Sequence, residues 1–123
     1  MANKLTVYIA GPIRGMANLN LDEFRFVEKL LQDKGYNAIV PHDLFEGIDT
    51  SNYTQEDYMK VCIPTIKNCD CACFLDGWKN SPGSKDEMEA AIESAVKIVF
   101  AKNEFPEYAH RDIVIVNDME VKL

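Results

Sequence analysis

Short apolar segments typical of β-strands alternate along this sequence with segments of helical periodicity. Apolar residues recur at helical spacing after Asn20, after Thr54 and from about Ser84. Strand–helix–strand units join parallel strands by right-handed crossovers. The pattern therefore predicts an α/β fold, a three-layer sandwich with a mostly parallel sheet of four to five strands. The strand-like segments are 5–10, 36–40, 71–75 and 97–101, with a further one at 113–116.

Capping residues predict where the helices begin and end. Asn20 and Glu23 have the spacing of a capping box, and Thr54 begins the second helix in a similar way. Gly35 is expected to end the first helix, because a left-handed residue is favoured there. No linker divides the sequence, so we expect one domain over residues 1–123. Its core would span about 4–101, and the tail 102–123 would carry the possible extra strand.

Charge and composition limit the partners. The net charge of −7 opposes binding to a nucleic-acid polymer or an anionic membrane, but a small anionic ligand needs only a local positive site. No apolar run reaches the ~20 residues of a membrane span, and no leader segment is recognisable, so a cytoplasmic location is expected. The four cysteines, at positions 62, 69, 71 and 73, lack metal-site spacing and are expected to be reduced and buried, with no metal bound.

Three loops are expected at the carboxyl ends of the parallel strands, where such sheets bind ligands. They are residues 11–18, 41–53 and 76–84. In the first loop, Gly11 permits close approach of the backbone, and Arg14 is either a phosphate or carboxylate ligand or a solvated side chain. His42, in the second loop, is a candidate ligand contact.

The third loop carries the strongest local signal. Ser81, Gly83 and Ser84 open a helix, and such a start either binds an anion or simply caps the helix. Glu87 either completes a capping box with Ser84 or is a carboxylate directed at a bound sugar. Trp78 either covers a nucleobase or fills the gap between the loop and the core.

Taken together, two motifs resemble the nucleoside 2-deoxyribosyltransferase superfamily. The similarity covers roughly residues 4–101 and is closest to the short phage and bacterial branch, near the deoxynucleoside 5′-monophosphate N-glycosidases. The first motif comprises Tyr8, Gly11, Pro12, Arg14 and Gly15, and the second comprises Gly77, Trp78, Ser81, Gly83, Glu87 and Ala91.

The resemblance implies a flavodoxin-like fold of five strands, usually assembled as a homodimer or larger homo-oligomer. It also implies cleavage or exchange of an N-glycosidic bond without metal or organic cofactor. By position, Glu87 matches the glutamate that acts at C1′, and Ser81 with Gly83 matches the loop that holds the 5′ end. Arg14 matches an arginine near the phosphate or base, and Tyr8 an aromatic at the crevice floor.

The sequence departs from the family pattern at two positions. Pro12 stands where the N-glycosidases commonly have serine. Cys62 stands eight residues before Asp70, where an aspartate is often found, and Asp57 lies more than one helical turn away. Two functions follow as hypotheses: an N-glycosidase or deoxyribosyltransferase in which Glu87 acts at C1′, or a non-catalytic nucleotide-binding or sensing module.

Overall fold

A computed structural model describes residues 4–101 and the backbone of 102–103 and 113–117. Three α-helices lie in this part of the chain: α1 (Leu21–Asp33), α2 (Gln55–Lys67) and α3 (Pro82–Glu93). It also contains short 3₁₀ turns at Ala17–Asn20, Pro41–Phe45 and Trp78–Asn80. The strands are β1 (Thr6–Ala10), β2 (Asn37–Ile39), β3 (Cys71–Leu75), β4 (Lys97–Asn103) and β5 (Ile113–Asn117).

The strands form one sheet in the order β2-β1-β3-β4-β5. The first four are parallel, and β5 pairs with β4 in the antiparallel direction at the edge. This order is that of flavodoxin-like folds, and it reverses between β1 and β3. The predicted α/β sandwich and the extra strand are therefore confirmed; the rest of the predicted tail lies outside the described residues.

Alternating residues of the strands face two separate apolar cores. On one face, α1 buries Phe24, Val27 and Leu31 against a core that includes Ile9. On the other face, α2 and α3 pack against a core that includes Tyr8 and Phe74. The result is three layers. Cys71 and Cys73 face the α1 side together, as the strand period predicts, and all four cysteines are buried and free.

The capping predicted at the start of α2 is confirmed, and the capping box predicted at the start of α1 is wrong. The Thr54 hydroxyl accepts from the Asp57 N–H, and the Asp57 carboxylate accepts from the Thr54 N–H, which together make a capping box. Asn20 precedes α1 but has a left-handed φ of 60°, and its side chain makes no capping bond. Its amide instead donates to the Pro12 carbonyl at 2.9 Å, tying the first loop to α1.

Helix α3 starts two residues earlier than the sequence indicates. Ser81 is the N-cap, and its hydroxyl accepts from the Ser84 N–H at 3.3 Å. Ser84 is therefore the third residue of the helix, and Glu87 lies beyond its first turn. A capping box between Ser84 and Glu87 is excluded, so the carboxyl of Glu87 is available for another contact.

Candidate active site

A cavity of about 480 Å³ opens where β1 and β3 end, at the point where the strand order reverses. Its size suits a small organic ligand. The wall is built from the first loop, the segment after β2, one face of α2 and the start of α3. The lining residues are Gly11, Pro12, Ile13, Arg14, Leu19, Pro41, His42, Phe45, Thr50, Gln55, Tyr58, Met59, Cys62, Asn80, Ser81, Pro82, Gly83, Ser84 and Glu87.

Gly11 allows the two strand ends to approach at this point. A Cβ built on Gly11 would lie 2.8 Å from the Cβ of Leu75, which is closer than side chains tolerate. A larger residue would therefore push β1 away from β3 and deform the cavity. The structure thus shows a close approach of Gly11 to the neighbouring strand, and its predicted approach to a ligand stays a prediction.

Glu87 lines the inner wall of the cavity and is hydrogen-bonded to Tyr8 of the sheet. Its side chain is 5% exposed, and one carboxylate oxygen accepts a short hydrogen bond from the Tyr8 hydroxyl. Tyr8 lies in the middle of β1 and is fully buried, so it supports the cavity from below and does not line it. The pair fixes the position of the carboxyl group at the switch point of the sheet.

Burial dominates the acid–base properties of this pair. It raises the pKa of Glu87 from 4.5 to about 8, against the opposing effect of the Tyr8 hydrogen bond, and the nearby Asp86 raises it further. The pKa of Tyr8 is raised well above 10 by burial and by the Glu87 charge. Burial therefore favours the protonated form of Glu87 at neutral pH.

Cys62 lies beside this pair, at the position where the resemblance expects an aspartate. Its side chain interacts with Tyr8 and lines the cavity. Burial raises the pKa of Cys62 to about 11, so the thiol is neutral at pH 7. The departure from the family pattern at Cys62 thus lies at the cavity.

The start of α3 offers hydrogen-bond donors to the cavity. Pro82 has no N–H, and the N–H groups of Ser84 and Lys85 donate to Ser81. Among the described residues, the N–H of Gly83 has no partner, and neither has the buried hydroxyl of Ser84, a residue only 1% exposed. Unpartnered donors at a helix N-terminus favour an anion.

Arg14 supplies a positive charge at the same cavity. Its guanidinium lies 5.1 Å from the centre of the Tyr58 ring, within the range of a cation–π contact. Tyr58 in turn packs edge-on against Phe45, with ring centres 5.0 Å apart. Arg14 thus extends from the first loop over an aromatic wall of the cavity, where a phosphate or a base could reach it.

His42 lines the cavity with one ring nitrogen engaged. Its Nε2 lies 2.8 Å from the carbonyl oxygen of Leu19, which makes Nε2 the protonated nitrogen. The other nitrogen, Nδ1, is buried and has no partner among the described residues. His42 therefore lines the cavity, and its role as a ligand contact stays a prediction.

Trp78 does not lie where a base-covering residue would be needed. It is 7% exposed, does not line the cavity, and packs against Phe74 and Phe100 at 5.5 and 6.4 Å between ring centres. Of the two alternatives for Trp78, the structure shows that it fills the gap between the loop and the core.

Sequence reasoning did not predict the contribution of α2 to the cavity wall. Gln55, Tyr58, Met59 and Cys62 all line it, at the spacing of one helical face. That spacing is visible in the sequence, but the same periodicity is shown by any helix that packs one face on the core, and in α2 Cys62 and Ile66 are buried. Phe45, Thr50 and Asn80 also line the cavity and carry no comparable signal.

The described residues contain no helix long and apolar enough to cross a membrane. Within the same residues, no group of three or more His, Cys, Asp or Glu side chains is arranged to hold a metal ion.

Fold and cavity together define a flavodoxin-like α/β protein with a ligand-sized cavity at the switch point. Residues 5–100 match the family described as Domain of unknown function (DUF4406), and the chain belongs to this family. No curated protein matches the sequence. A solved structure named as the CMP N-glycosidase BcmB of Clostridium botulinum is similar, with a TM-score of 0.54 and 22% identity over 85% of this chain and 75% of that chain. This likeness confirms the fold expected from the resemblance to the nucleoside 2-deoxyribosyltransferase superfamily.

Proposed function

We propose that this protein cleaves or exchanges the N-glycosidic bond of a nucleoside 5′-monophosphate, with Glu87 acting at C1′. The observation that carries the proposal is the buried Glu87 carboxyl, held by Tyr8 on the inner wall of a cavity whose rim carries unpartnered donors. The similar fold of a CMP N-glycosidase supports a nucleotide substrate.

Glu87 would act on the positive charge that develops at the sugar carbon. As the bond to the base breaks, C1′ and the ring oxygen take on oxocarbenium character, which a carboxylate stabilises or captures as a nucleophile. The carboxylate lies in a buried site, where such stabilisation is stronger than in water. Water then releases the sugar in hydrolysis, and a second base releases it in transfer.

The 5′-phosphate would bind at the start of α3. The N–H of Gly83 and the Ser84 hydroxyl supply donors, and the positive end of the helix adds to them. Arg14 supplies a full positive charge from the first loop. Binding the phosphate here would place the sugar toward Glu87, since Ser84 and Glu87 lie three residues apart on one face of α3.

A second function, nucleotide binding without cleavage, is favoured by Cys62. A neutral thiol stands beside Tyr8 and Glu87 where related proteins often have a carboxylate, so the site holds one carboxyl group at this point instead of two. The groups proposed to bind the phosphate, on Gly83, Ser84 and Arg14, do not depend on a carboxyl group at position 62.

One experiment separates the two functions. The protein is incubated with 2′-deoxyribonucleoside and ribonucleoside 5′-monophosphates, and free base is measured by chromatography. Release of base supports the glycosidase or transferase. A raised melting temperature without any release supports the binding module, and neither effect with any nucleotide would contradict both.

A further inference from the structure

Gln55, the first residue of α2, is tied to α3 by a single hydrogen bond across the two helices. Its amide nitrogen Nε2 donates to Oδ2 of Asp86 at 2.8 Å. Both side chains are partly buried, and Gln55 lines the cavity while Asp86 lies behind it. A carboxylate oxygen accepts hydrogen bonds, so Asp86 determines which end of the Gln55 amide faces it.

This contact leaves the other end of the amide free. The planar amide carries its carbonyl oxygen Oε1 on the arm opposite Nε2, and among the described residues Oε1 has no hydrogen-bond partner. With Nε2 held by Asp86, Gln55 offers the cavity an acceptor. Rotating the amide to offer a donor would place its carbonyl against the Asp86 carboxylate.

Gln55 lies at the opposite end of the cavity-lining face of α2 from Cys62, next to an aromatic wall. Cys62, beside Tyr8 and Glu87, lies seven residues further along the same face of α2, which is roughly 10 Å at 1.5 Å per residue. Gln55 is one turn before Tyr58, which packs on Phe45 and forms an aromatic wall suited to a base. An acceptor backed by the Asp86 carboxylate would also repel a phosphate.

Resting on the proposed function, we propose that Gln55 is a specificity-determining residue that selects nucleotides whose base carries an exocyclic amino group. An amino group on cytosine or adenine donates to Oε1. The oxo group of uracil or hypoxanthine at the same ring position is an acceptor and meets Oε1 without a hydrogen bond. Asp86 acts as a positioning residue, because it fixes the amide without touching the ligand.

The test compares bases that differ only in this group. Dissociation constants are measured by calorimetry for deoxycytidine against deoxyuridine monophosphate, and for deoxyadenosine against deoxyinosine monophosphate. The protein carries Glu87→Gln, so that the nucleotides stay intact. We expect the amino member of at least one pair to bind about tenfold more tightly, the effect of one hydrogen bond near 1.4 kcal/mol.

Two further substitutions in that background test the assignment. Gln55→Met keeps the side-chain length but removes the acceptor, and Asp86→Ala frees the amide to rotate; each should bring the amino-to-oxo ratio close to one. Gln32→Met, on the exposed face of α1, is the control and should leave the ratio unchanged.

The outcomes that overturn the proposal differ from those that overturn the function. Equal affinity within both pairs, or a ratio that survives Gln55→Met, contradicts the role of Gln55 while nucleotide binding stands. A ratio that survives Asp86→Ala contradicts the orienting role of Asp86. No heat of binding for any of the four nucleotides contradicts the proposed function itself.

Discussion

The hydroxyl of Tyr8 donates a hydrogen bond to the carboxylate of Glu87, 79 residues away in the sequence. This bond joins the middle of the first strand to the second turn of α3, and both groups are buried. It stabilises the ionised form of Glu87 in a site that otherwise disfavours charge. The ionisation of the carboxyl group in the cavity therefore depends on the Tyr8–Glu87 pair.

Removing the Tyr8 hydroxyl should raise the pKa of Glu87 further. In Tyr8→Phe, burial of the carboxyl is unchanged and the stabilising hydrogen bond is lost. We expect the rise of kcat/KM for base release to shift to higher pH, and the free energy of unfolding to fall by about 1–3 kcal/mol. The measurements are a pH–rate profile and denaturant unfolding. Tyr36→Phe, in the half-exposed turn after α1, is the control; a pH profile that moves equally in both variants would contradict the pairing.

Base release by the wild type should itself increase with pH. With a pKa of about 8, only about a tenth of Glu87 is ionised at pH 7. If the carboxylate is the active form, kcat/KM rises with pH up to about 8 and then levels off. The reason is that kcat/KM reports the pKa of groups in the free enzyme. A rate that instead falls as pH rises through 8 would show that the protonated acid is the active form.

Folding stability should depend on pH through Glu87. The folded-state pKa of about 8 lies above the ordinary value of 4.5, so between these values the folded protein holds a proton that the unfolded chain has lost. The stabilisation is complete below pH 4.5 and is lost as pH rises through 8, at up to about 1.4 kcal/mol per pH unit.

Chemical denaturation of wild type and Glu87→Gln from pH 5 to 8 measures this effect. As pH rises, the unfolding free energy of the wild type should fall relative to that of Glu87→Gln, since glutamine does not titrate. A difference that stays constant across the range would mean that Glu87 is not held in its protonated form.

Ser84→Ala should separate binding from folding. The Ser84 hydroxyl is buried without a partner, so its removal breaks no internal hydrogen bond and places a better helix former in α3. We expect unfolding free energy to stay the same or to rise by about 1 kcal/mol, while affinity for nucleoside monophosphates falls several-fold. Calorimetry and denaturant unfolding measure the two effects. Ser94→Ala, at the exposed end of α3, is the control, and unchanged nucleotide affinity in Ser84→Ala would contradict the phosphate assignment.

Arg14→Ala should reduce the preference for phosphate. Wild-type protein should bind a nucleoside monophosphate more tightly than the matching nucleoside, and Arg14→Ala should narrow that gap by about tenfold, consistent with loss of a charge-assisted hydrogen bond. Lys85→Ala removes a positive charge from the exposed side of α3 without altering the cavity and should have a smaller effect. Equal affinity of the wild type for nucleoside and monophosphate would refute the assignment.

Local patterns predict the framework of this protein well. The strand Cys71–Leu75 agrees residue for residue, and the capping pair Thr54 and Asp57 is as expected, because strand propensity and capping depend largely on neighbours in the sequence. Asn20 shows where local reasoning fails. Its side chain finds the Pro12 carbonyl in another segment, a partner that the capping pattern does not include.

The site depends on contacts between distant segments, so the sequence predicts it less completely. Local spacing offers Glu87 as a helix cap, and only the folded sheet brings it to Tyr8. Gln55 shares a helical face with Tyr58 and Cys62 in the sequence, but its orientation comes from Asp86 on another helix. The resemblance located Glu87 and the departure at Cys62, but the contribution of α2 to the wall appeared only in the structure.

The central claim is that Glu87 acts at C1′ of a bound nucleotide, and the most direct test is base release by Glu87→Gln compared with Glu89→Gln. Glu89 is an exposed glutamate on the same helix, so it controls for loss of charge. Free base is quantified for each protein with the nucleoside monophosphate that the wild type cleaves fastest. We predict that Glu87→Gln loses at least a hundredfold in kcat, typical of a residue at the reacting atom, and that Glu89→Gln stays close to wild type. Base release that persists undiminished in Glu87→Gln would contradict the claim.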